Sequence, residues 1–429
     1  MSERFKNVLL AITATLVSYL FLELAVWRPN LMRVPLDIRQ QLGFLDLLAQ
    51  PSKRATLPDS GYVAIIGDSY AEGLGDWLMR SIHDGNPDIS AGDVLHRISG
   101  RDVLSFGFRG GHPAQTYTFE TTAALEGINR YAGLHLPEAG DVIAYFYEGN
   151  DVSDLMAMLR FSRPDWAADQ DIASQAAARR WVAESGRNGH ERAYKRWHVF
   201  ANAHLADTAG HLVKLAIKNQ VRTKGPLLAA EDPMFSGRGA YSEDWSRYNQ
   251  SKYFVRAGGK RVAYPSPTVE PFLFHDRQEL DVAGIYFAES LAYLKSQFPG
   301  ARLWVAYIPS PINVYPLAQP TITLQDRIRD QPGTEAPGPV VEVAAEALAL
   351  VSNATCDVMA EAAKAQGVEF IDTRPGLRDS ARSLGYLHGP NDPGHLNRHG
   401  YESLAGLLKA ALEAGKGGGC QPLPVRPGG

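Results

Sequence analysis

The sequence predicts an α/β fold with a doubly wound parallel sheet, and three features of the chain indicate it. Short β-branched and aromatic runs recur along the chain. Each run ends in a cluster of Gly, Ser, Asn, Asp or Pro, and stretches with helical spacing of apolar residues separate the runs. This alternation is typical of a parallel sheet covered by helices on both faces. We therefore expect a three-layer α/β/α architecture around a central five-stranded parallel sheet.

Five apolar runs are the expected strands. The first is a buried run that stops at Gly67, and the second is followed by the adjacent Gly110 and Gly111. Neighbouring glycines after a strand indicate close backbone approach or a positive φ. The predicted strands are residues 63–66, 103–106, 142–147, 303–308 and 368–371.

Helix signals lie between and after these runs. Asp276 and Glu279 have the spacing of a capping box before an apolar 3.6-residue pattern. Gly367 follows an Ala-rich helix predicted over about residues 341–366, and a Pro-rich loop is expected before that helix. A last helix is predicted to begin near Asn397, with leucines on its inner face.

Composition excludes some classes of function. The chain has 429 residues and a formal net charge of -4, which gives no basic surface for nucleic acid. Its two cysteines, Cys356 and Cys420, are not a C-x-x-C pair, so a thiolate zinc site is not expected. They allow either one disulfide in an oxidising compartment or two inert thiols.

The amino terminus has the length and composition of a membrane-spanning helix. Arg4 and Lys6 precede the apolar residues 8–26, and Trp27 and Arg28 are placed to lie at an interface. Glu23 is close enough to the helix end to reach the headgroups. No small-x-small cleavage site follows, which favours an uncleaved anchor over a signal peptide. A buried helix of a soluble protein is the alternative.

Orientation is not determined by charge, because the basic residues after the helix rival those before it. A start that resembles a secretory leader, together with cysteines compatible with export, favours an extracytoplasmic (periplasmic) catalytic domain. The expected division is an anchor over 1–28, a proline-broken stalk over 29–60, a catalytic domain over 61–415 and a flexible tail over 416–429. A large insertion is expected at about 154–275, where the α/β alternation is lost.

Ser69 is the first candidate catalytic residue. It follows the strand that ends at Gly67, and the carboxyl end of a parallel strand is where α/β sheets place their ligand crevices. A serine there can present its hydroxyl beside free backbone N–H groups that would hold an oxyanion. Alternatively, Asp68 and Ser69 only cap the following helix.

Asp392 and His395 are the second candidates. With Pro-Gly between them, the carboxylate can accept a hydrogen bond from one imidazole nitrogen while the other nitrogen faces the cleft as a base. A serine hydroxyl needs such a base to become a good nucleophile. The alternative is that His395 only leads into the last helix. Because this segment also follows a strand, it is expected at the same sheet edge as Ser69.

Four short segments together resemble the SGNH (GDSL) hydrolase superfamily. They are Gly67-Asp68-Ser69, Gly110, Gly149-Asn150-Asp151 and Asp392-Pro393-Gly394-His395, in the order of the family's blocks. The resemblance covers roughly residues 60–155 and 276–415. It implies an SGNH-hydrolase-like fold and a serine mechanism, and it leaves the anchor and the insertion unexplained.

The resemblance also implies a role for each matched residue. Ser69 would be the nucleophile, His395 the base and Asp392 its orienting partner. The oxyanion donors would be the backbone N–H groups of Ser69 and Gly110 and the side chain of Asn150.

The chain departs from the family pattern at two positions. Tyr70 replaces the leucine of the GDSL signature, and Glu148 stands where a glycine often precedes the asparagine, which puts the placement of Asn150 in question. Asp68 and Asp151 are expected to be structural hydrogen-bond acceptors.

The expected function is hydrolysis of acetyl or short-acyl esters through an acyl-serine intermediate, by a membrane-anchored enzyme. Ile308-Pro309-Ser310 and Val314-Tyr315-Pro316 resemble SGNH proteins that handle acetyl groups on bacterial exopolysaccharides. The first alternative is therefore an O-acetyltransferase acting on a cell-envelope polysaccharide or exopolysaccharide. The second is a non-catalytic envelope assembly or carbohydrate-binding protein.

No cofactor or metal is expected. His388, His395 and His399 with Asp392 fit no zinc motif, and Gly73-Leu74-Gly75 lacks the third glycine of a dinucleotide loop. The expected partners are an ester substrate, as a small molecule or a carbohydrate, and a membrane. The sequence gives no indication of the oligomeric state.

Overall fold

A computed structural model describes most of the chain, and its centre is a six-stranded sheet. The described residues are 2–27, 30, 50–51, 57–78, 90–131, 135–162, 172–197, 213, 253–264, 274–331 and 334–424. The strands are β1 Gln50–Pro51, β2 Tyr62–Gly67, β3 Val103–Gly107, β4 Ala139–Tyr147, β5 Phe254–Ala257, β6 Lys260–Ala263, β7 Arg302–Ile308, β8 Thr321–Gln331, β9 Thr334–Ala344 and β10 Glu369–Asp372.

The helices alternate with the strands of the sheet. They are α1 Glu3–Phe21, α2 Ser69–Glu72, α3 Ala91–Ser99, α4 Pro113–Gln115, α5 Thr121–Glu126, α6 Asp151–Ser162, α7 Gln175–Trp197, α8 Arg277–Gln297, α9 Pro311–Val314, α10 Ala345–Ala365, α11 Arg374–Leu384 and α12 Arg398–Ala414. Three π-helical segments, Leu22–Trp27, Thr116–Glu120 and Gly127–Tyr131, continue α1, α4 and α5 respectively.

The strand order of the sheet is β1-β3-β2-β4-β7-β10. β1 pairs antiparallel to β3, and the other five strands are parallel to one another. The predicted five-stranded parallel sheet is therefore confirmed. From β2 the chain passes first to β3 on one side and then to β4 on the other side, so the strand order reverses between β2 and β4. In parallel sheets a crevice forms at such a point, at the carboxyl ends of the two flanking strands.

Both faces of the sheet are buried, which explains the continuous apolar runs in the sequence. Tyr62, Ala64 and Ile66 lie in a core with residues of α5 to α8 and α10. Val63 and Ile65 point the other way, into a core with residues of α3, α11 and α12. This period-two alternation places helical layers on both faces of the sheet.

Two described segments lie at the boundaries of the expected division of the chain. Asp154, near the start of the expected insertion, lies within α6, whose Leu155 and Met156 are buried in the main core. The described part of the expected stalk includes β1, which pairs with β3 because a short edge segment satisfies exposed backbone groups there. Most of 198–250 and of 28–49 lies outside the described residues.

The expected Pro-rich loop before α10 is also corrected. The described residues there form an antiparallel hairpin, β8–β9, whose register is irregular at two points. Pro337 lies within β9, and a two-stranded ribbon tolerates a proline because both its strands are edges. Within the expected insertion, β5 and β6 form a second antiparallel hairpin.

The tail is held to the domain rather than flexible up to residue 424. Cys356 and Cys420 form a disulfide that joins α10 to the tail. Gln421 donates its N–H to Asp372 and Leu423 donates to Asn353, at 2.8 Å each. In the chain-entropy model, a disulfide that closes a 64-residue separation contributes about 4 kcal/mol to the free energy of unfolding.

The amino-terminal helix is long and apolar enough to cross a membrane. Residues Glu3–Trp27 have a mean hydropathy of 2.0 in their most apolar stretch. Their large apolar side chains, such as Leu10 and Phe21, are exposed. Trp27, at the helix end, packs against the core that contains α6 to α8.

Candidate active site

Ser69 lies at the carboxyl end of β2, in the first turn of α2. Asp68 caps this helix by accepting a hydrogen bond from the Tyr70 N–H at 3.0 Å. The backbone of α2 lies directly against β3, since a Cβ on Gly107 would come within 2.0 Å of the Glu72 nitrogen. Local capping and this close packing fix the direction of the Ser69 side chain. The capping interpretation of this segment is thus correct for Asp68, and Ser69 is left free for another role.

The structure brings Ser69, His395 and Asp392 together. Nε2 of His395 is 2.9 Å from Oγ of Ser69, and Nδ1 of the same ring is 2.8 Å from Oδ2 of Asp392. The side chains of His395 and Asp392 are 19% and 15% exposed, so the imidazole is accessible from one side. Two ring nitrogens that bridge a hydroxyl and a carboxylate are the geometry of a hydrolytic triad.

The loop of residues 391–397, here called the triad loop, is held by the segment that carries Ser69. The hydroxyl of Tyr70 donates to the carbonyl of Gly394 at 2.7 Å. Gly75 has a φ of +137°, and a Cβ there would lie 2.6 Å from the Leu396 carbonyl oxygen. The triad loop thus contacts residues that follow Ser69 in the chain.

Asp76 makes the most direct attachment of the triad loop. Its Oδ2 accepts the Asn391 N–H and its Oδ1 accepts the Asp392 N–H, both at 2.7 Å. Asp76 is 2% exposed. Burial raises its pKa, and the hydrogen bonds from Asn391 and Asp392 counteract part of that rise. One buried carboxylate therefore fixes the backbone of the residue that orients His395.

If Ser69 acts as the nucleophile of an ester hydrolase, as proposed below, Asp76→Asn should lower kcat by about 10²-fold with little change in KM. The loop donates two N–H groups to Asp76, and an amide offers only one acceptor oxygen, so the Asp392 backbone should shift. Small displacements of catalytic groups lower reaction rates by about this factor. Ester-hydrolysis kinetics measure the change. Asp141→Asn is the control, because Asp141 is equally buried but lies at the opposite end of β4. Equal losses of kcat in both variants would contradict a positioning role.

The two other expected oxyanion donors follow the strands on either side of β2. Gly110 lies after β3 and has a φ of +73°, a conformation that L side chains rarely adopt. Asn150 lies directly before α6, after β4. Its Oδ1 is buried without a hydrogen-bond partner among the described residues. Its side-chain oxygen is therefore not engaged in holding the fold.

Glu148, which departs from the family pattern, joins two strand ends. Its carboxylate accepts the Ser310 N–H at 2.9 Å and the Asn313 side-chain N–H at 3.0 Å. Glu148 is buried, and these bonds connect the turn after β4 with the turn after β7. A glycine could not form them. The structure thus gives this position a supporting role beside Asn150.

The pKa of His395 is set by opposing effects. Burial lowers it, but the charge and hydrogen bond of Asp392, with the charges of Asp68 and Glu72, raise it above its ordinary value overall. Burial also raises the pKa of Asp68 to about 6, and the charge of His395 counteracts part of that rise. The surrounding carboxylates therefore favour a protonated imidazole.

Asp151 and His388 lie close to this group. Burial and the charge of Asp68 raise the pKa of Asp151, whose Oδ2 accepts the Tyr147 N–H at 2.7 Å. Burial lowers the pKa of His388 to about 3, and its Nδ1 is 2.9 Å from the Tyr315 hydroxyl. His399 lies on α12 near Glu402. The three histidines that were weighed as metal ligands thus have separate partners.

Each segment that resembles an SGNH block has a defined place in this fold. Gly67-Asp68-Ser69 connects β2 to α2, Gly110 follows β3, Gly149-Asn150-Asp151 connects β4 to α6, and the fourth segment precedes α12. Sequence reasoning missed Asp76 and the function of Glu148, which match no motif. Comparison of the chain with family models, with curated proteins and with solved structures finds no match.

Proposed function

We propose that this chain is a serine ester hydrolase of the SGNH type. The single observation that carries the proposal is the continuous hydrogen-bond chain Asp392–His395–Ser69 at the carboxyl edge of the sheet. A serine, an imidazole and a carboxylate connected in this order have a well-defined use in acyl transfer, and their position at the strand-order reversal supports it.

In the proposed first step, Oγ of Ser69 attacks the carbonyl carbon of the ester and its proton passes to Nε2 of His395. Asp392 holds the ring in the required tautomer and stabilises the imidazolium. The N–H groups of Ser69 and Gly110 and the Asn150 amide are the proposed donors to the oxyanion. The imidazolium then gives its proton to the departing alcohol, which leaves an acyl group on Ser69.

In the second step, a nucleophile activated by His395 attacks the acyl-serine. Water as the nucleophile gives hydrolysis of an acetyl or short-acyl ester, which is the function we favour because water needs no further binding site. A sugar hydroxyl as the nucleophile would give O-acetyl transfer instead, and the cavity described in the next subsection favours that as the second candidate.

A fluorophosphonate probe tests the nucleophile. We expect it to label the wild-type protein and to leave Ser69→Ala unlabelled, because the probe reacts with an activated serine. Ser310→Ala is the matched control, since Ser310 is a buried serine that follows another strand of the same sheet. In-gel fluorescence measures the labelling. Equal labelling of wild type and Ser69→Ala would refute the assignment.

We further propose that α1 anchors the protein in a membrane, with the catalytic domain on the extracytoplasmic side. The exposed apolar surface of α1 supports the anchor. The Cys356–Cys420 disulfide supports the location, since disulfides persist in oxidising compartments.

Deletion of residues 1–28 should move the protein from the membrane pellet to the soluble fraction. The shortened protein loses its one described helix of sufficient length and hydropathy to span a bilayer. Ultracentrifugation with immunoblotting measures the distribution. A wild-type protein that is already soluble would show the anchor to be wrong.

A further inference from the structure

A cavity of about 620 Å³ lies beside the helices that follow the expected oxyanion donors. Its walls include Gln115 of α4, Phe119 of the π-helical segment and Met158 of α6. Trp181 and Asn188 of α7 complete the opposite wall. The volume is within the range of about 300–1,000 Å³ that is typical of small-molecule sites.

The α7 wall of this cavity combines one aromatic side chain with polar side chains on the solvent-accessible face of the helix. Trp181, Glu184 and Asn188 line it at a spacing of three and four residues, so they share one face of α7. Glu184 and Asn188 are exposed, whereas the face of α7 that contains Ala178 and Val182 is buried. The buried face holds α7 on the domain, and the polar face is the one that a ligand in the cavity can reach. Polar groups at this cavity therefore fit a ligand that forms hydrogen bonds.

The aromatic side chains of the cavity are held in place. Trp181 packs edge-to-face against the buried Tyr286, with ring centroids 6.0 Å apart, and its centroid lies 6.1 Å from that of His112. A rigid aromatic ring beside amide and carboxylate side chains matches a pyranose, which has an apolar C–H face and a rim of hydroxyls. Arg180 and Glu184 both line the cavity, so their formal charges cancel, which favours a neutral sugar.

The position of the cavity relates it to the site at Ser69. α4 begins three residues after Gly110, and Gln115 lies in its first turn. α6 begins directly after Asn150, and Met158 lies about 10 Å along that helix from its start. The helices that follow the two outer oxyanion positions therefore form part of the cavity wall.

We propose that this cavity binds a neutral pyranose unit of an oligosaccharide, as the alcohol side of the ester or as the acyl acceptor. The proposal rests on the ester-cleaving function proposed for Ser69. It assigns recognition of the sugar to α7, a helix in which the sequence contains no motif.

Calorimetry with the full-length Ser69→Ala protein tests the binding without turnover. The probes are β-linked oligosaccharides of glucose, galactose, N-acetylglucosamine and glucuronate. We expect at least one neutral oligosaccharide to bind. Two further variants are made in the Ser69→Ala protein, Trp181→Ala and Asn188→Ala. Each should raise the Kd of the bound oligosaccharide by about tenfold or more, as truncation of a central contact does. Tyr194→Ala is the control, because Tyr194 is an exposed aromatic of α7 outside the cavity.

Two results would overturn the proposal. One is that no neutral oligosaccharide binds, whether nothing binds at all or only the glucuronate oligosaccharide does. The other is a Kd that neither Trp181→Ala nor Asn188→Ala changes. Asn188 is exposed, so its truncation tests the cavity even if the Trp181 variant does not fold. Fluorophosphonate labelling of Ser69 in the wild type reports separately on the ester-cleaving function, so the two failures are distinguishable.

Discussion

His395→Ala should reduce kcat/KM for p-nitrophenyl acetate by about 10⁴-fold or more. Nε2 of the imidazole lies 2.9 Å from Ser69 Oγ, and loss of a triad base leaves only the contribution of binding and the oxyanion site. Stopped-flow or steady-state absorbance of nitrophenolate measures the rate. An activity within tenfold of the wild type would remove His395 from the mechanism.

A matched control for this variant is His399→Ala. His399 lies four residues further along the chain, at the exposed start of α12, and its side chain is 58% exposed. We expect its truncation to leave both the rate and the melting temperature near the wild-type values. A comparable loss of activity in both variants would indicate a disturbed triad loop rather than a lost base.

The contact between Ser69 and His395 was accessible from the sequence because of sheet geometry. Parallel strands end at one edge, so chemistry-bearing loops that follow different strands converge there however far apart they lie in the chain. The apolar runs marked the strands to within a few residues, since burial on both faces requires continuous apolar sequence. Position and residue type together were therefore enough to select Ser69, Asp392 and His395.

The sequence was less informative about what holds the triad loop. The sequence predicts the loop between the fifth strand and the last helix, and in the structure α11 also lies between β10 and the loop. Attachment comes instead from Asp76 and Tyr70, whose partners are backbone atoms of residues 391, 392 and 394. Side chains that bind backbone atoms impose no pattern on their partners, so no spacing reveals them. Asp76 resembles an ordinary polar surface residue until the fold is known.

The helical layer beside the cavity was obscured for a different reason. α7 has polar residues on most of its surface, and its few buried apolar residues include the small Ala178 and Ala193. Small residues give a weak apolar period, which made this segment resemble an insertion. The polar, solvent-accessible face of α7, together with Trp181, is the observation on which the proposed sugar subsite depends.

Asp392→Asn should lower kcat by about 10⁴-fold and move the acid limb of the pH–rate profile to lower pH. The amide favours the wrong imidazole tautomer, which accounts for the loss of rate. In the proposed mechanism His395 acts as a base only when neutral, so wild-type activity should fall as the pH drops through the raised pKa of His395. Asp392→Asn removes the negative charge that raises the pKa of His395, whereas burial still lowers that pKa. The pKa of His395 therefore falls, and its ring stays neutral to lower pH.

The pH dependence of kcat/KM measures this shift, because it reports groups of the free enzyme. Asp379→Asn is the control, since Asp379 is an exposed carboxylate of α11 and should change neither quantity. The two readouts separate two roles for Asp392. A purely structural role would lower the rate without moving the acid limb, whereas a direct charge interaction with His395 requires both changes. An Asn variant with an unshifted profile would therefore contradict the electrostatic role, even if its activity were low.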